Sequence, residues 1–447
     1  MKGGSFFALY IRECKKVLCS LTFLLYAAAV FAMFYTQFYL EVNGPEIEPK
    51  PGESGYGMVA REVPEILMPR ATENLLWEYR SNSYVAYPIG FYKEVRLKEK
   101  DRQKMADIIC EITGMTQEEL NRFEGKEEND LDKSDKTSFE VGGENGIREI
   151  DNNSFVVDGT GNMGDEDPSL PEYHISESMT YERFRELMRA ADDLIGGGSR
   201  YSDKYIVTNF SNVPKTYEEA RKEYEQLTKE DKVTGSYARL YCDYIGVMLG
   251  ILPVFVAVSL MQLDRKARME ALIYSRCASS ARIIFARYMA LVSVMFLPII
   301  ITAGIGQARV MGFYQGMDMD LFAFAKEALI WMLPSLMAVT AIGMVITEFA
   351  SGLVAILLQG AWWFVSLFSG GLSGEIGKFS LIIRHNSLYK RDILMSLYGN
   401  FLFNRVFFTL LAVLLVMLTA VIYEEKRRGR NIGIRFFVKN RKNQPAA

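Results

Sequence analysis

Histidine is almost missing from this chain: His174 and His385 are the only two in 447 residues. A histidine-rich metal centre is excluded on that ground. Cysteine is also scarce. Of Cys14, Cys19, Cys110, Cys242 and Cys277, only Cys110 falls within residues 41–236, so that stretch cannot close a disulfide of its own. No CxxC or Cys/His spacing suggests zinc. There is no G-x-S-x-G, so no nucleophile elbow is indicated, and no residue is assigned a catalytic role. There is also no G-x-x-x-x-G-K-[ST]. The nearest string, Gly374-Glu-Ile-Gly377-Lys378-Phe379, has the wrong spacing and lacks the hydroxyl, so the chain has no ATPase site of its own.

The net charge of −3 hides a division. Residues 41–236 carry 25 Lys+Arg and 42 Asp+Glu, a net of −17; the rest carry 26 and 12, a net of +14. The acidic region is polar, and the basic remainder holds nearly all the long apolar runs. Such a split excludes a single soluble globule, a disordered chain and a nucleic-acid binder with one basic face.

A spanning helix needs about 20 mostly apolar residues, because the hydrocarbon core is roughly 30 Å thick. Six stretches meet or approach this, which predicts a polytopic α-helical membrane protein of six transmembrane helices with a mixed α/β extracellular domain inserted after the first. The expected order is an amphipathic interfacial helix at 1–16, span 1 at 17–40, the extracellular domain at 41–236, span 2 at 237–263 and a cytoplasmic loop at 264–282. Span 3 at 283–308, span 4 at 326–347 and span 5 at 349–374 follow. External re-entrant or surface helices at 375–404, span 6 at 405–423 and a basic tail at 424–447 complete it. The first apolar run is too long for a signal-peptide core and no small-x-small cleavage site follows Leu40, so it reads as a retained span.

Lys and Arg near span ends set orientation. The N-terminal segment, the 264–282 loop and the tail are all basic and share one side for six spans. That side is expected to be the cytoplasm of a cell-membrane protein, with both termini inside and 41–236 outside. Residues 375–405 dissent, since Lys378, Arg384, Lys390, Arg391 and Arg405 fall on the outer side. Between spans 4 and 5 only Glu348 interrupts the apolar run, and Ser351-Gly352 predicts a tight hairpin.

Within 41–236, a Pro/Gly-rich linker runs from Asn43 to Gly57, and apolar spacing predicts a helix over Lys98–Phe123. A second helix is expected over Thr180–Ile195, with Thr180 as N-cap and Gly196–Gly198 as its stop. A charged helix over Thr216–Glu230 is expected to run on into span 2. Tyr84–Tyr87, Phe155–Val157 and Tyr205–Val207 look like short strands. Gly125–Pro171 reads as a loop, and its Asp158–Asp165 stretch lacks the ligand register of a calcium loop.

The segment Leu263–Tyr288, LDRKARMEALIYSRCASSARIIFARY, opens with charges and continues as a short amphipathic helix. It then breaks at Ser275–Ser280 before re-entering the membrane. It is similar to the loop after the second span in ABC exporter permeases of the second type, also called type V, which reads roughly E-x-x-x-G-T-x-E-L-L-x-S-x-P-x-S-R. Glu270, Leu272, Ser275 and Ser279 match it; Arg268 stands where the family often has Thr, no Gly precedes it, and Cys277 replaces the Pro. Asn404-Arg405-Val-Phe-Phe with the closing Tyr423–Arg428, and the 333–357 stretch, resemble the family's last spans, and Phe6–Val17 its N-terminal interfacial helix. The likeness covers roughly half the chain and leaves out 41–236.

What the resemblance implies is a permease subunit, an exporter by analogy, that does not hydrolyse ATP. It is driven by a separate ATPase subunit, which binds the ATP and Mg. The coupling element would use Arg265, Arg268, Glu270, Leu272, Ser275 and Arg276. A second permease copy or a paralogue would complete the pair, and membrane lipid is the remaining partner, with no nucleic acid and no cofactor of its own. Polar residues are expensive in lipid, so Gln37, Thr302, Gln307 and Gln359 are candidates for a pore lining or for helix–helix hydrogen bonds, as is Thr340. Pro253, Pro298 and Pro334 are expected to interrupt spans. A secondary transporter, or a membrane sensor acting through its ectodomain, remains as an alternative. The cargo and the role of the ectodomain cannot be read from these residues.

Overall fold

The structure is a computed structural model, and it describes residues 6–53, 55–88, 92–124, 173–275, 278–368, 376–385 and 387–430. In chain order its helices are α1 (Phe6–Leu18), α2 (Leu21–Phe34, continued by a π-turn to Tyr39), α3 (Pro64–Ser81), α4 (Glu99–Thr113) and α5 (Gln117–Glu124). They continue with α6 (Tyr181–Ile195), α7 (Ile206–Phe210), α8 (Tyr217–Glu225), α9 (Thr234–Leu249), α10 (Leu252–Lys266) and α11 (Glu270–Tyr274). The last are α12 (Ser280–Phe313), α13 (Ala323–Phe349), α14 (Gly352–Ser366), α15 (Arg391–Ser396) and α16 (Tyr398–Arg427). Four of these are long and apolar enough to cross a membrane among the described residues: α2 with its π-turn, α12, α13 and α16. The α9–α10 pair makes a fifth if counted as one span bent by 45°. These are the elements of a helical, multi-pass membrane protein.

The chain divides into two compact units, one of residues 1–49 and 218–447, the other Lys50–Tyr217. In the first, local chemistry sets the boundaries. Ser20 caps α2 by accepting the Phe23 N–H at 3.2 Å, so the span starts at Leu21 and the amphipathic helix runs on to Leu18, past the expected boundary at residue 17. Pro253 has no N–H to give, and the helix breaks at Gly250-Ile251. The Gly250 carbonyl accepts Gln359 Nε2 at 2.6 Å, and the Val247 carbonyl accepts Trp363 Nε1 at 2.9 Å. Pro298, by contrast, sits inside an unbroken α12. Ser351 caps α14, whose start packs so closely on α10 that a Cβ on Gly352 would collide with Gln262 and Val258. Gly343 of α13 faces Ala257 and Val254, while α14 passes from Val258 back to Val247. Thus α13 runs with α10 and α14 against it, which is the expected hairpin. At 15 residues, α14 spans only about 22 Å, short of a bilayer core. Ser369–Gly374, a serine- and glycine-rich stretch that reads as a helix breaker, lies outside the described residues.

The charged helix of 217–230 does not continue into α9. Val233 has φ 58°, and the chain turns there. The expected surface helices of 375–404 are α15 alone and the first turns of α16, since Tyr398 already begins the final 30-residue helix.

The second unit is built on α3, α4 and α6, around a core that includes Leu67, Leu75, Met105, Ile109, Ile112, Phe184 and Met188. Its strands among the described residues form two antiparallel ribbons, β1 (Met58–Ala60) with β4 (Asn212–Pro214) and β2 (Tyr84–Ala86) with β3 (Lys93–Val95). Thr180 caps α6 through the Arg183 N–H at 3.3 Å, and Gly196 in the left-handed region ends it. Gly114 likewise ends α4, dividing the single helix expected to Phe123. Tyr205–Val207 is not a strand: the Tyr205 and Ile206 N–H groups both bond the Ser202 carbonyl and start the helical turn α7. The Phe155–Val157 run and the Asp158–Asp165 stretch lie outside the described residues.

Among the described residues, Glu78 is the one carboxylate that this second core buries; it accepts Tyr201 Oη at 2.6 Å and the Val85 N–H at 3.3 Å. Burial pushes its pKa up, against the pull of those two bonds and of Arg200. A raised folded-state pKa means that the stability this group contributes is greatest at low pH and is lost as pH rises through that value. In the full chain, the thermal midpoint of the 50–217 unit is therefore expected to rise on going from about pH 8 to about pH 5. Glu78→Gln should flatten that slope, as read by hydrogen exchange of α3 and α6.

Candidate functional site: an ion network at the foot of the 264–279 loop

One end of the first unit gathers ionisable groups from five helices. Glu13 and Lys16 come from α1, Asp264 and Arg265 from the last turn of α10, Arg287 from α12, Glu348 from the end of α13 and Lys426 from the end of α16. Lys16 pairs with Glu13 at 2.7 Å and reaches Asp264 at 3.8 Å. Arg287 bonds Asp264 directly and lies 3.6 Å from Glu13. Two cations and two anions thus balance in one node, and the Arg287 and Glu13 side chains are each only 4% exposed. Glu348 takes Lys426 at 2.9 Å, with Arg265 at 4.0 Å. An ion this deeply buried costs several kcal/mol to desolvate and is tolerated only when paired.

The segment between α10 and α12 is held at both ends by this machinery. Its near end contributes Asp264 to one node and Arg265 to the other. At its far end Arg427 donates to the Tyr274 and Ala278 carbonyls at 2.9 and 2.7 Å, and Ser280 Oγ donates to Glu424 at 2.5 Å. Tyr274 packs edge-on against Tyr423. A narrow cleft lined by Met261, Asp264, Ile273, Tyr274, Arg287, Glu348 and Tyr423 separates the loop from the helix ends. The turn out of α10 is tight: Met269 N–H bonds the Asp264 carbonyl and Arg268 N–H the Arg265 carbonyl, at 2.9 and 3.1 Å. This is the hydrogen-bond pattern of a Schellman ending, which usually puts glycine where Arg268 stands with φ 55°. A non-glycine residue there costs on the order of 1 kcal/mol.

Of the residues singled out in the sequence, Arg265, Arg268, Leu272 and Ser275 are on this segment and exposed, Leu272 at 57%. Glu270 opens α11. Arg276 and Cys277, like tail residues 431–447, lie outside the described residues. Thr302 is buried against Tyr241, whose hydroxyl lies 2.7 Å away. Gln307 spends its amide on the Asp320 carbonyl and the Phe324 N–H, and Gln359 bonds the break at Gly250. Gln37 is exposed on the outer surface of the π-turn after α2. Thr340 bonds back to Leu336. Trp362 stacks on Phe408, a packing role.

The opposite end of the unit also carries paired charge. Asp231 holds Arg239 at 2.5 Å and also bonds Arg391; Lys232 meets Asp318 at 2.7 Å. Burial opposes the Asp231 charge, but Arg239, Ser236 and Arg391 together hold its pKa below the usual carboxylate range. Glu46 is fixed by Tyr314 and Tyr389, each at 2.7 Å. Arg405 is buried between Trp331, Ser335 and Asn404. Two of the dissenting cations of 375–405 are therefore committed to protein partners. Asp243, fully buried within α9, accepts the His385 N–H at 2.8 Å. Sequence reading passed over Glu13, Asp264 and Arg287 as a set. The available signal was three charges flanking apolar runs; their proximity was not legible.

Comparison with family models, with curated proteins and with solved structures returns no match.

Removing Arg287 leaves Glu13 and Asp264 buried together. Arg287→Met is expected to cost about 3–5 kcal/mol and to lower the thermal midpoint of the purified chain in detergent. Adding Glu13→Gln and Asp264→Asn should restore most of it. A triple variant no more stable than Arg287→Met would show that the node is not coupled.

Proposed function

We propose that this chain is the transmembrane permease subunit of an ATP-binding-cassette exporter of the second type, driven by a separate ATPase subunit that binds the ATP and Mg. The observation that carries this reading is the construction of the 264–279 segment. Its two ends are pinned to α1, α12, α13 and α16, while its middle turns Arg268, Met269 and Leu272 outward. A push on the exposed middle would reach the ends of four helices at once, as a coupling lever must. The exposed mixture of arginines and aliphatics suits a groove with an acidic rim and an apolar floor.

In this proposal α14 is the fifth of six spans, α1 and the tail are cytoplasmic, and residues 41–236 are outside the cell. The geometry of the first unit supports such a topology. Its α1, 264–279 loop and α16 terminus meet at one end, and its 46, 231, 318 and 391 positions meet at the other. A second permease copy or a paralogue would complete the transport path.

Two measurements test it. In a cysteine-free background, Ser275→Cys should resist an impermeant thiol reagent in intact cells, whereas Lys204→Cys should react. Labelling of both from outside would overturn the topology. Leu272→Asp should reduce co-purification of a genomically neighbouring P-loop ATPase at least about tenfold, the scale of losing a central apolar contact. Combined Arg268→Glu and Glu270→Arg should do the same, and intact association in both variants would sink the coupling role.

A further inference from the structure

At the end of the first unit away from the 264–279 loop, one short stretch is fastened to four separate parts of the chain. The His385 N–H bonds Asp243 of α9 at 2.8 Å, and Tyr389 Oη bonds Glu46, in the segment after α2, at 2.7 Å. Arg391 meets Glu230 at 3.2 Å and also bonds Asp231 in the turn before α9. Lys222 of α8 reaches Asp392 at 3.2 Å. The Lys222–Asp392 pair is exposed and therefore weak. Asp243 and His385 are both buried, so that tie is the one shielded from water.

His385 contributes more than its backbone. Its ring Nε2 lies 2.9 Å from the Tyr389 carbonyl oxygen. A carbonyl can only accept, so Nε2 carries the hydrogen and Nδ1 of the neutral ring is bare. The same ring thus closes the turn that sets Tyr389 against Glu46. A proton added at Nδ1 would make a cation in a site only 8% exposed. Among the charged groups around it, Arg239 of α9 and Lys390 repel such a cation. Asp231 attracts it, but Arg239 and Arg391 already share that carboxylate. Asp243 accepts the His385 backbone N–H, and Arg384 stacks on Tyr244 of α9 at 5.8 Å. Burial above all holds the imidazole pKa below the ordinary histidine value of 6.5.

We infer that residues 385–396 form a proton-sensitive strap, which neutral His385 holds against α9, the segment at residue 46 and the turn at 231, and which proton uptake by His385 releases. The sign follows from the lowered value. A released histidine binds a proton more tightly than a held one, so the closed strap keeps its full stability above pH 6.5 and loses it as pH falls below. One proton limits the loss to about tenfold per pH unit. The three bonded partners Asp231, Asp243 and Glu46 lie on elements far apart in sequence, so release would free all of them from one another. The inference goes beyond the permease reading: it concerns the other end of the unit and needs no ATPase.

The test follows hydrogen exchange of residues 387–396 in the full chain in detergent, corrected for intrinsic rates, between about pH 7.5 and about pH 5.5. Opening is expected to rise several-fold toward acid, with a ceiling of about tenfold. That sign is opposite to the one expected for the 50–217 unit, so a general effect of acid would not imitate it. His385→Gln keeps a donor in place of Nε2–H and removes the titration. Its opening should be the same at both ends of the range, whatever its level. Exchange of the imidazole C2 hydrogen, read by mass spectrometry, should give His385 a midpoint below 6.5. Opening that ignores pH in the unaltered chain would overturn the strap. An equal rise in His385→Gln would do so as well, by assigning the response to a carboxylate, and so would a midpoint at or above the ordinary value.

Discussion

A guanidinium buried between two carboxylates constrains this fold more than any single apolar contact. Arg287 is almost wholly buried, so the structure around it must supply both the charge and most of the hydrogen bonds that water would. Glu13 and Asp264 do so from opposite directions, and Lys16 keeps the node neutral. The consequence is geometric. A helix on the periphery, the end of a bent span and the start of the longest helix are fixed to one another at one point. The loop that leaves Asp264 inherits that fixation. Its other end is fastened by Arg427 and Glu424 from the last helix. Apolar packing alone, being non-directional, would leave such a loop free to slide.

Elsewhere in the spans, polar groups serve to join helices. The break at Gly250-Ile251 frees a carbonyl that Gln359 takes up, and Trp363 takes the neighbouring one at Val247. Thr302 and Tyr241 do the same between α12 and α9. In a medium without water each unbonded backbone group is costly, so a broken helix needs side chains from its neighbours. The glutamine side chains suggested a pore because polarity in an apolar run points either to a cavity or to a partner. Sequence cannot tell these apart, since the partner is far away in the chain.

Much of the fold was legible. Runs such as 283–308 and 405–423 were long and apolar, and the helices found there extend beyond them at both ends. Thr180 and Gly196 bounded α6 as their side-chain chemistry requires. Less legible were places where one residue's backbone decided the outcome. Gly114 divided a continuous periodic pattern, and Val233 turned the chain where a single helix was expected. Arg268 closed a helix in the conformation glycine normally takes, so no glycine marked the turn. The excess of cations in 375–405 is a poor guide to sidedness, because a count of charge cannot see that Arg391 meets Asp231 or that Arg405 is buried.

Local sequence determined which segments are apolar, where their caps fall, and that an acidic region of different character is set between the first two long helices. These follow from hydropathy, spacing and the short-range chemistry of serine, threonine, proline and glycine. Tertiary structure alone decided which charges are partners. Glu13, Asp264, Arg287, Glu348 and Lys426 are scattered over more than 400 positions, and an ion pair depends on a separation of a few ångströms that only packing can set.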